Sequence, residues 1–271
     1  MDTPNRRSSH ITATPRGGGL SFVIIGTLLT AIYEPAPSKW IPVICLPLAL
    51  IGFIDDFKGL AKTFRYLVQV STAIVLVIFS SQSLSLWLSL LCIFMLTAVI
   101  NFTNFMDGLD GLVAGCGVLL LASTSSSAIS GAILGFLIWN WAPAKVFMGD
   151  VGSTFIGAVF GGMILQTHNY HESFLLLLTG FPLFADAFIC VIRRFINGDN
   201  ILEAHRKHLF QRLHQANWSH KSVALLYVCA VAILLGSYSL AGVRALAITV
   251  AVEFLIGLYL DRYIAKDFIS A

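Results

Sequence analysis

The chain has 271 residues, of which 57% are hydrophobic and only 11% charged, with a formal net charge of +3 and a mean hydropathy of +0.83. A soluble domain carries roughly 25% charged residues, so the composition excludes a water-soluble globular fold, and so small a net charge gives no sign of a nucleic-acid partner. What remains is an all-α, polytopic integral membrane protein, whose helices satisfy their backbone polar groups within each segment in lipid.

The N-terminus, "MDTPNRRSSHITATPRGGG", is polar and basic and has no short apolar core ahead of a cleavage site, so no cleavable signal peptide is read there. A spanning helix needs about 20 apolar residues, with roughly 17 as the lower end. In chain order, ten spans are expected at 18–33, 40–54, 66–80, 86–106, 109–123, 128–142, 151–167, 173–193, 221–238 and 243–260. The runs 40–54 and 128–142 are short by that rule. No repeat or linker divides the chain, so residues 1–271 read as one domain. If the N-terminus is cytoplasmic, fifteen Lys and Arg fall inside and only Lys39 and Arg244 outside, the asymmetry of the positive-inside rule. The five cysteines lie in apolar runs at no metal-ligand spacing and read as small buried hydrophobes.

With that topology the acids fall into place. Asp55 and Asp56 ("GFIDDFKG") end the second span, Asp107 and Asp110 ("NFTNFMDGLDGL", 101–112) join the fourth to the fifth, and Asp150 ("KVFMGDVGS") precedes the seventh. One aspartate at an interface is usually a solvated helix end. Five from three separate loops on one membrane face are harder to dismiss, because adjacent carboxylates stay ionised only beside a cation or a basic partner. Oxygen-rich clusters with glycine-permitted turns suit Mg²⁺, which takes one or two carboxylates plus phosphates and waters, with Mn²⁺ as an alternative.

Other polar features share that face. "TPRGGG" offers Arg16 and three glycines before the first span, a setting in which free helix N–H groups cradle an anion. "AHRKHLFQRL" spaces His205, His208 and Arg212 at i, i+3 and i+7, which on a helix is one stripe facing a phosphate or solvent. Zinc needs a further ligand, and no nearby Cys or Glu completes the pair. Asp186 lies inside the eighth span, where an ionisable residue is either functional or held by a polar partner on another helix. Glu253 has no companion motif, and His168 and His171 read as outer loop.

Taken in order, "DTPNRRSSHITATPRGGG", "GFIDDFKGL", "NFTNFMDGLDGL", "FMGDVGS" and "AHRKHLFQRL" resemble the polyprenyl-phosphate N-acetylhexosamine-1-phosphate transferases, glycosyltransferase family 4, over residues 2 to 221. The histidine motif is closest to the bacterial branch that starts O-antigen or other surface polysaccharides. The resemblance implies that a lipid phosphate attacks the sugar-linked phosphate of a UDP-N-acetylhexosamine, UMP leaves, and undecaprenyl-diphosphate sugar stays in the bacterial inner membrane. It implies an active site facing the cytoplasm, with homodimerisation among the expected associations. It casts Asp150 as the magnesium ligand, Asp55 as the base that keeps the lipid phosphate ionised and Asp56 as its neighbour in the metal–phosphate site. It also casts Asn101, Asn104, Asp107 and Asp110 as the nucleotide and catalytic motif, and His205, His208 and Arg212 as contacts to the nucleotide-sugar phosphates.

Two departures accompany the resemblance. The family usually has one more helix before the first motif, which is not read here, and Phe210 and Gln211 stand where many relatives carry further histidines. Two other functions compete with the enzyme reading. An ion-coupled transporter predicts charges near the midplane and broken helices in two related halves, whereas the motif carboxylates crowd one interface and no inverted repeat shows. A non-catalytic relative predicts loss of acidic motif residues, all of which are present. The sugar stays open among GlcNAc, GalNAc and 6-deoxy-N-acetylhexosamines.

Overall fold

Apolar runs punctuated by glycine, serine and asparagine fold as helices whose ends those small residues fix. The computed structural model describes residues 13–124, 126–200, 203 and 205–270. Their helices are α1 Gly19–Tyr33, α2 Ile41–Lys58, α3 Lys62–Ile78, α4 Leu86–Met106, α5 Leu112–Ser123, α6 Ser127–Asn140, α7 Asp150–Ile164, α8 Tyr170–Thr179, α9 Phe181–Ile196, α10 Leu209–Gln215 and α11 His220–Tyr259. Gly59, at φ +64°, closes α2 in the left-handed region. The Asn169 side chain accepts from the Glu172 amide at 2.9 Å to start α8.

Helix α7 is the centre of the bundle. Every residue from Val151 to Ile164 is buried, as expected of a helix that is apolar all round. Its small residues let neighbours come close, which matters in lipid, where van der Waals packing drives helix association. Gly19 of α1 lies directly against Gly152, and Gly52 of α2 lies against the Asp150–Val151 peptide. Large apolar side chains such as Trp87, Phe94 and Ile138 face outward, a surface suited to lipid.

Three segments are long and apolar enough to cross a membrane: Ser38–Lys58, Leu86–Met106 and His220–Ile264. The run expected as a single span over 173–193 is instead two helices, α8 and α9, bent by 80° at Gly180. Pro182 lies in the first turn of α9, where its missing N–H costs nothing and its ring favours a new helix start. Counted as one bent span, the pair makes a fourth. The other runs expected as spans are helices of 17 residues or fewer, so ten helices of full spanning length are not seen among the described residues.

The last two runs keep their expected separation. In a straight helix, residues twelve apart lie about 18 Å from each other, yet Ser237 Oγ and Thr249 Oγ1 are 2.9 Å apart. The chain therefore reverses at Gly242, whose φ of +74° and ψ of −164° few other residues adopt, and the limbs 220–241 and 243–259 run antiparallel.

The two ends of the bundle differ chemically. One is stitched by neutral groups, as where Gln82 Nε2 donates to the Thr167 carbonyl at 3.2 Å and to Ser173 Oγ at 2.7 Å. The other gathers aspartates and arginines from α1 to α7. The contact that positions this charged end gives a direct test. A Cβ at Gly52 would sit 2.6 Å from the Asp150 carbonyl carbon and the Val151 nitrogen, backbone atoms that no rotamer change can move. Gly52→Ala is expected to lower the thermal midpoint in detergent by an amount corresponding to about 1–3 kcal/mol. Gly135→Ala, in open space on α6, should leave it unchanged or raise it. Equal losses for both would contradict the packing described.

Candidate active site

The last turn of α2 carries Asp55 and Asp56, the first turn of α3 carries Arg65, α7 begins at Asp150, and Arg16 lies in the segment entering α1. Because α2 packs on α7 through Gly52, Asp56 reaches the N-terminus of α7 and accepts from the Asp150 amide at 3.2 Å. The free N–H groups and dipole of a helix start favour a carboxylate there. Gly149, at φ +72°, has no room for a side chain, since a Cβ would collide with Asp56 Oδ2.

Two guanidiniums cross-link the three carboxylates. Arg16 Nε lies 2.9 Å from Asp56 Oδ1, and its Nη2 lies 3.1 Å from Asp150 Oδ1. Arg65 bonds Asp55 through Nη1 and lies 3.0 Å from Asp150 Oδ2 through Nη2. Asp55 also accepts from the Leu60 amide at 2.6 Å. Asp56 Oδ2 is buried and has no hydrogen-bond partner among the described residues.

Asp107 follows the last turn of α4 and joins the electrostatics of this cluster. Burial pushes its carboxyl up to about 8, with Arg16 opposing the shift and Asp150, Asp56 and Asp110 reinforcing it. Asp110 is held differently: Oδ2 accepts from the Ala144 amide at 3.0 Å, and Oδ1 lies 3.2 Å from His220 Nδ1. Gly111, at φ +74°, turns the chain into α5, and its amide donates to Asn140 Oδ1 at 3.1 Å. Asn101 donates to Gln69 Oε1 at 2.7 Å and Asn104 to Ser153 Oγ at 2.9 Å, so their amide nitrogens tie α4 to α3 and α7.

The expected helical stripe of His205, His208 and Arg212 does not form. Helix α10 begins only at Leu209, because His208 is its cap residue, with its amide 3.4 Å from Gln211 Oε1. His205 precedes the helix. Arg212 is buried, bonded to Asp261 and donating to the Lys266 carbonyl at 2.7 Å, so it ties the C-terminal segment rather than facing the aspartates. Residues 2–12 of the first motif and Ala204 of the histidine motif lie outside the described residues.

Asp186 takes the structural alternative. Its carboxylate caps α10 from another helix, accepting from the Leu209 and Phe210 amides at 2.7 and 3.0 Å and from the Tyr227 hydroxyl at 2.7 Å. The sequence reading missed Arg65, which it counted only among the cytoplasmic charges that orient the chain. It also gave no part to His220, Gln69 or Ser153. For His220 and Gln69 the one sequence signal is position, within a turn or two of the interface that carries the aspartates, whereas Ser153 closes the "FMGDVGS" motif.

Fold and site together define a multi-pass helical membrane protein with an arginine-bridged carboxylate centre at one end of its bundle. A sequence profile described as glycosyl transferase family 4 matches residues 40–168. A probable undecaprenyl-phosphate N-acetylglucosaminyl 1-phosphate transferase of Bacillus subtilis (strain 168) is 30% identical over 266 residues, covering 84% of this chain and 74% of the relative. The decaprenyl-phosphate N-acetylglucosaminephosphotransferase of Mycobacterium tuberculosis (strain ATCC 25618 / H37Rv) is 29% identical, covering 82% and 71%. A phospho-N-acetylmuramoyl-pentapeptide-transferase of Synechococcus sp. (strain JA-2-3B'a(2-13)) is 30% identical, covering 82% and 77%. The chain belongs to glycosyl transferase family 4, the polyprenyl-phosphate N-acetylhexosamine-1-phosphate transferases.

The Asp107 environment yields a pH test. The folded protein holds this proton up to about pH 8, whereas an ordinary carboxyl in the unfolded chain releases it near 3.8. The stability it contributes is complete below the unfolded value and is lost as pH rises toward the folded one. In chelator-treated protein, the thermal midpoint should fall as pH is raised from about 6 to about 8, and Asp107→Asn should flatten that fall. An unchanged slope in the variant would contradict the assignment.

Proposed function

We propose that the chain transfers an N-acetylhexosamine 1-phosphate from a UDP-sugar to undecaprenyl phosphate, with Mg²⁺, at the cytoplasmic face of a bacterial inner membrane. The observation that carries this is the charge arithmetic of the bridged cluster. Among the described residues, three carboxylates share two guanidiniums, and one buried carboxylate oxygen, Asp56 Oδ2, has no hydrogen-bond partner. The donor set is all oxygen with an excess of negative charge, which fits Mg²⁺. The family relatives quoted above act on polyprenyl phosphates or phospho-N-acetylmuramoyl-pentapeptide, as their names state.

In this reading Asp150 and Asp56 hold the metal, which when bound neutralises charge on the transferring phosphates. Asp55, fixed by Arg65 and the Leu60 amide, keeps the lipid phosphate ionised. An oxygen of the lipid phosphate bonds to the sugar-linked phosphorus, the bond from that phosphorus to the bridging oxygen breaks, and UMP departs with the electron pair. Arg16 and Arg65 lie where released metal-site carboxylates would free them for phosphate oxygens, and guanidinium forks suit that exchange. Ten crossings with a cytoplasmic N-terminus agree with the fifteen-to-two distribution of cationic residues and with the α11 reversal. The product is the first lipid-linked sugar of a surface or cell-envelope glycan.

The test is UMP release by membranes carrying the chain, supplied with undecaprenyl phosphate, Mg²⁺ and a panel of UDP-N-acetylhexosamines. At least one sugar should support turnover. Asp150→Asn and Arg65→Gln should each lose about a hundredfold or more, the scale for removing one charge-stabilising group. Arg65→Lys should recover only part, because one ammonium does not span Asp55 and Asp150 as a fork does. No UMP with any sugar, while Asp150→Asn behaves like wild type, would overturn the proposal.

A further inference from the structure

Outside the carboxylate cluster, three ligand-type side chains converge where α9 meets the segment leading to α10. The Sγ of Cys190 and one ring nitrogen each of His205 and His208 all lie within 4.8 Å of one another. Cys190 and His208 are buried and His205 is half-buried. The two imidazole rings are 4.9 Å apart between centroids. Among the described residues, His208 Nδ1 is buried without a hydrogen-bond partner, and the nearest Asp186 oxygen stands 3.7 Å away, beyond bonding distance. In sequence the histidine pair lacks a third ligand because Cys190 stands fifteen positions before His205. Folding brings it there.

We propose that Cys190, His205 and His208 bind Zn²⁺, forming a clip that fixes the segment before α10 onto α9 and leaves a fourth position to water. A thiol with two imidazoles is the donor set of a borderline-soft metal and a poor one for Mg²⁺. Tetrahedral zinc, with Zn–S of about 2.3 Å and Zn–N of about 2.0–2.1 Å, puts its ligand atoms about 3.3–3.6 Å apart, about 1.2–1.5 Å closer than the 4.8 Å within which they now lie. Side-chain rotation supplies a movement of that size.

The surroundings suit the ion. Arg194 and Lys207 would oppose a cation, but both pair with Asp199, at 3.7 and 2.7 Å. Ligation costs His205 its 3.2 Å contact from the Lys207 amide to Nδ1. Through Nδ1 the lone pair is taken, and through Nε2 the proton moves to Nδ1.

The test uses the full chain in detergent, stripped with chelator and titrated with Co²⁺ as a spectroscopic stand-in for zinc. One equivalent should produce a thiolate-to-cobalt charge-transfer band with the intense visible bands of tetrahedral cobalt. Zn²⁺ should displace it and excess Mg²⁺ should not. Cys190→Ser should abolish the charge-transfer band, while Cys229→Ser, at an exposed cysteine, should keep it. Asp150→Asn should keep it as well, which separates this site from the carboxylate centre. Absence of the band in the stripped wild-type chain, or its survival in Cys190→Ser, would overturn the proposal.

Discussion

The bridging of Asp55, Asp56 and Asp150 by Arg16 and Arg65 is the constraint on which the charged end of this protein depends. Five ionised groups from four stretches of chain meet there, and none tolerates removal from water alone. The lattice draws α2, α3 and the entry to α1 onto the start of α7, so the same contacts that build a site also close the bundle. Its charges do not balance. Among the described residues, three carboxylates against two guanidiniums leave one negative charge, and the raised pKa of Asp107 opposes adding another. A cation entering this place would relieve repulsion and free the arginines for an incoming anion.

Helix α7 converts that electrostatic demand into geometry. It is sheathed by other helices along its whole length, so its N-terminus has little freedom to move. Gly52 and Gly149 remove the side chains that would separate Asp56 from the α7 amides. The opposite end, stitched by Gln82, Thr167 and Ser173, contains no comparable gathering of charge among the described residues. The asymmetry lies within the bundle as well as in its loops.

Much of this was legible in the sequence because lipid makes polarity conspicuous. Five aspartates in apolar surroundings stood out, and the order of spans put them at one end before any contact was known. Arg65 was not legible, since a cation flanking a membrane helix is what the positive-inside rule leads one to expect anyway. The histidine stripe failed for a local reason: spacing of three and four implies a shared face only inside a helix, and α10 starts one residue after His208. Asp186 could be recognised as requiring a partner, but the partner is the N-terminus of a helix 23 residues away, a contact that only tertiary structure reveals. The reversal in α11 was legible as two runs meeting near Gly242, and the break between α8 and α9 was hidden inside one continuous apolar stretch.

The central claim is that the arginine-bridged carboxylates are a divalent-cation and phosphate centre rather than a purely structural ionic tie. Anomalous scattering from crystals of the chain soaked with Mn²⁺ and UDP tests it most directly. The account predicts a manganese peak at about 2.1 Å from oxygens of Asp150 and Asp56, with at least one of Arg16 and Arg65 turned from its carboxylate toward the diphosphate. Manganese absent from these aspartates, with both arginines still bridging them in the presence of nucleotide, would contradict it.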